Sequence, residues 1–104
     1  MTRIALFVKC QPKADCRAQV LAMLEESAQS AAKRPGTLLF AIHVPSGDPD
    51  AFWIYELYEN SEAQIAHSRG ETATRLRTDI KDLLAEPLQV IKTESHLAVG
   101  LLSG

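Results

Sequence analysis

Little in this sequence gives its role away directly, and the scarcities exclude a good deal. There are only two cysteines, Cys10 and Cys16, with neither a CxxC pair nor a second Cys/His pair. A disulfide framework and a zinc site are therefore not expected, and reduced thiols are. The five glycines (Gly36, Gly47, Gly70, Gly100, Gly104) are scattered, forming no phosphate loop and no dinucleotide fingerprint, so no nucleotide cofactor is expected. His43, His67 and His96 show no HxH or HxxxH spacing, and no metal is expected either. Neither sign of charge dominates: 11 basic against 13 acidic residues leave a net charge of -2 and no basic surface for a nucleic-acid backbone. No apolar run approaches the roughly 18 residues of a membrane span. The opening MTRIALFVKC carries too short an apolar run for a signal peptide. The expectation is a cytoplasmic protein that binds neither nucleic acid nor membrane.

What remains is globular, with 46% apolar and 23% charged residues in 104. That length suits one domain, 1–104, with 97–104 as a tail free to cross to a partner. Ile4, Leu6 and Val8 alternate with Ala5 and Phe7 in a strand that ends before Pro12. Val20, Leu21, Leu24, Ala28 and Ala31 recur at helical spacing until Pro35-Gly36. TLLFAIHV (37–44) reads as a second strand, PSGDPD as a loop, and Phe52 to Glu59 as the third strand of a hairpin. Asn60 and Ser61 can cap a short helix to His67, which Gly70 breaks before a second helical segment ending at Glu86-Pro87. Leu88 to His96 alternates as a fourth strand. The order β-α-β-β-α-β is the α+β ferredoxin-like arrangement, a four-stranded antiparallel sheet with its helices on one face.

Both faces of that sheet are apolar. In strand three Trp53, Tyr55 and Leu57 point one way while Phe52, Ile54, Glu56 and Tyr58 point the other. The first set is expected beneath the helices. The second would be left in water, so a second copy pressed sheet to sheet is expected, with a ligand pocket in the space between.

RPGTLLF, the following turn with DP, the run FWIYELYENSEAQIAH and the later LLAEP together resemble the antibiotic biosynthesis monooxygenase family. The resemblance extends over roughly Arg3 to His96. It implies a homodimeric α/β barrel and oxidation of phenolic, quinol-type or anthrone-like small molecules by O₂ without metal or flavin. It also allows an isomerase of the same fold, or a non-catalytic dimeric module that binds a small molecule. This chain departs from the pattern at Tyr58, where many relatives carry tryptophan, and in SRGETATRL, which lacks a following histidine-phenylalanine pair.

Within that reading Tyr58 and His67 are the candidate catalytic residues. The phenol of Tyr58 can hydrogen-bond a substrate oxygen, and the imidazole of His67, titrating near neutrality, can take a phenolic proton. Phe40, Phe52, Ile54 and Glu56 are the candidate substrate-binding residues. Glu56, a carboxylate inside an apolar strand, needs a partner, and Arg75, Arg77 or a group across the dimer could supply it.

Overall fold

The computed structural model describes residues 2–100. Strand β1 runs Ile4–Cys10, helix α1 Arg17–Ala32, β2 Thr37–His43 and β3 Phe52–Tyr58. Helices α2 (Ser61–Ser68) and α3 (Glu71–Asp79) follow, then a 3₁₀ turn at Lys81–Leu83 and β4 at Gln89–Glu94. The sheet order is β2-β3-β1-β4, with every neighbouring pair antiparallel. This is the expected ferredoxin-like α+β fold, its second helix in two pieces. No helix among the described residues is long and apolar enough to cross a membrane.

Local chemistry sets the boundaries that matter for the site. Asn60 caps α2, its Oδ1 accepting from the backbone N–H of Ala63 at 2.9 Å. At Gly36, just before β2, the backbone lies so close to α2 that a Cβ would come within 2.3 Å of the Ala63 Cβ. Glycine is required there by this close approach. Gly70 interrupts the helical segment as the cap residue of α3, in extended conformation.

Strand alternation sends Ile4, Leu6, Val8 and Cys10 of β1, with Phe52, Ile54 and Tyr58 of β3, into one buried cluster. Val20 and Leu24 of α1, with Ile80 and Leu84 from the segment after α3, close over them. The opposite face carries Phe7, Leu39, Trp53 and Ile91, each at least 41% exposed, and the half-buried Tyr55. Phe7 and Tyr55 stack across β1 and β3 with ring centroids 5.1 Å apart.

The faces are thus the reverse of the sequence expectation. Trp53 and Tyr55 lie on the bare side, and Phe52, Ile54, Glu56 and Tyr58 lie under the helices. Alternation determines which residues share a face, but not which face receives the helices. The neighbours hold that information: Lys9 and His43 are paired with Trp53, and Gln89 with Lys9, so polar groups sit beside the tryptophan. The other face is free of them along β1. After β4, Leu97 and Val99 are exposed, while 101–104, part of the tail expected to cross to a partner, lie outside the described residues.

Candidate functional site

Between the helix-bearing face of the sheet and α1, α2 and α3 lies a pocket of about 210 Å³. Leu6 and Val8 from β1, Leu24 from α1, Phe40 from β2 and Ile54 from β3 supply apolar walls. Glu56, Ser27, Gln64 and His67 bring the polar groups, all at most 8% exposed. Arg77, Leu88 and Val90 are shared with a neighbouring hollow of about 580 Å³ that runs on past Ile80 and Leu84 to Pro87.

Residues two apart on a strand share a face, so Glu56 and Tyr58 meet. The Tyr58 hydroxyl donates to Glu56 Oε1 at 2.6 Å, a short bond to a buried acceptor. Burial pushes the Glu56 carboxyl above its ordinary range, opposed by the hydrogen bond from Tyr58. Burial also pushes the Tyr58 phenol well up, reinforced by the Glu56 charge and hydrogen bond and opposed by Arg34. Tyr58 is therefore a neutral, committed donor. The partner that an intramolecular carboxylate needs is this phenol and not an arginine: Arg75 pairs with Glu26 and Glu71, and Arg77 donates to the backbone carbonyl of Ser68 at 2.7 Å.

His67 arrives from the last turn of α2 and sits between two rings. Its centroid is 5.9 Å from Phe40 and 5.8 Å from Tyr58. Burial lowers its pKa, and Arg34 and Arg77 lower it further, so the imidazole is neutral at pH 7. Its Nδ1 is buried without a hydrogen-bond partner among the described residues.

Four of the six candidates, Phe40, Ile54, Glu56 and His67, line this pocket. Tyr58 stands behind the lining and touches it through Glu56. Phe52 is fully buried elsewhere, beneath the Arg17 guanidinium, whose carbon is 4.8 Å from the ring centroid. Sequence reasoning missed Ser27 and Gln64. A signal existed for both: Ser27 falls on the Val20, Leu24, Ala31 stripe of α1, and Gln64 lies one turn before His67.

An antiparallel four-stranded sheet with its helices on one face and a pocket held between the two layers defines a ferredoxin-like α+β protein with its cavity inside the protomer. More particularly, the chain belongs to the antibiotic biosynthesis monooxygenase family, whose model matches residues 3–78. No curated protein matches it. Solved structures that it resembles include a Mycobacterium tuberculosis protein at 16% identity and TM-score 0.88, covering 93% of this chain and 98% of that one. A Nitrosomonas europaea protein of unknown function is 28% identical, with TM-score 0.81 and coverage of 100% and 98%. An antibiotic biosynthesis monooxygenase is 21% identical, with TM-score 0.81 and coverage of 88% and 97%.

Proposed function

We propose that the protein is a monooxygenase that oxidises a phenolic or quinol-type small molecule with O₂ in the pocket between helices and sheet. The observation that carries this reading is the grouping of Glu56, its Tyr58 donor and the neutral His67 in an otherwise apolar chamber. Such a chamber desolvates a phenol, and its polar groups favour the phenolate, which gives up an electron to O₂ far more readily than the phenol does. The reaction balances with substrate as the sole reductant. A hydroquinone and O₂ yield a hydroxyquinone and water; one oxygen atom enters the ring, the other leaves as water, and the substrate provides all four electrons.

The volume bears on which phenols fit. About 210 Å³ lies below the roughly 300–1,000 Å³ of drug-sized sites. One- or two-ring quinols fit this chamber alone, whereas a polycyclic anthrone would have to extend past Leu88 and Val90 into the neighbouring hollow of about 580 Å³. The bare face bearing Phe7, Leu39, Trp53 and Ile91 supports a homodimer paired sheet to sheet.

The test is oxygen uptake by purified protein with benzene- and naphthalene-derived hydroquinones, using isotope-labelled O₂. Expected is protein-dependent uptake with one labelled atom in the product and one in water. Saturable binding without uptake would instead identify a binding module, and turnover without O₂ an isomerase.

A further inference from the structure

Two groups in the pocket could take the phenolic proton, and their surroundings are unlike. The assignment of roles to them rests on the reading of the pocket as a phenol site.

His67 is poorly placed to accept. A neutral imidazole must carry its proton on one nitrogen, and Nδ1, on a ring flanked by those of Phe40 and Tyr58, is buried with no hydrogen-bond partner among the described residues. A buried N–H with nothing to donate to is costlier than an unused lone pair, so the proton belongs on Nε2. Taking up a second proton would put a bare, charged N–H at that same buried position, with Arg34 and Arg77 adding repulsion. The ring is a donor through Nε2–H.

Glu56 has the complementary arrangement. It lines the pocket, and one carboxylate oxygen is occupied by Tyr58. Among the described residues no other hydrogen bond and no ion pair engages it. The second oxygen is free to accept. Tyr58 from β3 is bonded to Glu56, and His67 and Gln64 from α2, Arg77 from α3 and Ser27 from α1 line the same pocket. Across the sheet it is paired with Leu6 and Phe40. Lys92 of β4 shares the face, opposite Leu6, but is exposed and outside the pocket lining.

We propose that Glu56 takes the phenolic proton, that His67 donates from Nε2–H to a substrate oxygen, and that Tyr58 positions the Glu56 carboxylate. In the step the substrate O–H bond breaks, its electron pair stays on oxygen as phenolate, and the proton is held on Glu56. It leaves later with the water formed from O₂.

The probe is para-nitrophenol, whose phenol and phenolate differ in visible absorbance and whose binding is read without turnover. At saturation and below the probe's own pKa, the wild-type complex shows the phenolate band. Glu56→Gln binds the probe with affinity within about tenfold but as the neutral phenol. His67→Phe weakens binding by roughly tenfold or more, yet the bound probe keeps the band. Tyr58→Phe removes the donor that stabilises ionised Glu56, so the phenolate fraction rises, a change that a merely structural tyrosine would not produce. A band that survives Glu56→Gln and disappears in His67→Phe overturns the assignment, as does a neutral probe in the wild-type complex. Failure to bind any phenol overturns the site reading itself and this assignment with it. Should Glu56→Gln not fold, Tyr58→Phe decides, since an unchanged phenolate fraction there refutes Glu56 as the acceptor.

Discussion

A carboxyl group placed as Glu56 is, among Leu6, Phe40 and Ile54, is harder to ionise in the folded chain than in the unfolded one. With the folded pKa raised, its contribution to stability is complete below the ordinary value of 4.5 and is lost as pH rises through the folded pKa. His67 behaves oppositely. Its folded pKa is depressed, so its contribution is complete above the ordinary 6.5 and is lost as pH falls through the folded pKa. Between these values the two trends oppose and mask one another in the wild type, and single substitutions separate them. Glu56→Gln is expected to melt higher than the wild type at pH 7 and about equal to it at pH 4. His67→Phe is expected to lose less stability on acidification. Thermal melts across pH resolve both, since about 1 kcal/mol moves Tm by roughly 4–8 °C in a domain of this size. A Glu56→Gln variant less stable at pH 7 than at pH 4, relative to wild type, contradicts the burial argument. A gain in stability alongside a loss of oxygenation would mark Glu56 as a residue kept for chemistry.

At the scale of elements, the position of α2 governs the site, because α2 delivers His67 and Gln64. Gly36 and Ala63 set how closely α2 approaches β2. Gly36→Ala, with its new Cβ 2.3 Å from the Ala63 Cβ, is expected to cost about 1–3 kcal/mol by overpacking. Adding Ala63→Gly removes the clash at a cost of about 1 kcal/mol for a helical glycine, so the double variant is expected to be more stable than Gly36→Ala alone. Urea denaturation of the four-member cycle measures this. Loss of the Asn60 cap in Asn60→Ala is expected to cost about 1 kcal/mol, read in the same assay. The signals behind these elements were visible in the sequence: Pro35-Gly36 ending α1, Asn60 opening α2, Gly70 dividing α2 from α3. The facing of the sheet was not. Phe52, Ile54, Glu56 and Tyr58 could be grouped by period alone, but choosing the helix side needs the register that places Lys9 and His43 beside Trp53, and register is a long-range property. The Glu56–Tyr58 bond was missed for a related reason. A carboxylate in an apolar strand points to an arginine partner, although same-face i, i+2 neighbours on one strand lie within reach.

The reversal of faces changes what dimerisation can do for the whole molecule. With Phe7, Leu39, Trp53 and Ile91 on the side away from the pocket, the proposed sheet-to-sheet pairing covers apolar surface without building the pocket walls. Assembly and ligand binding should then be separable. Phe7→Lys with Ile91→Lys places two charges on adjacent strands of the bare face, where the two residues are directly paired, and desolvating them in an interface is costly. Sedimentation is expected to show a dimer for the wild type and a monomer for the double variant at tens of micromolar. The monomer is expected to retain para-nitrophenol binding within a few-fold, since Glu56, His67 and Tyr58 are all supplied by one chain. A monomeric wild type refutes the pairing, and a monomeric variant that folds but no longer binds the probe shows that the partner completes the site, most directly where the pocket opens past Leu88 and Val90.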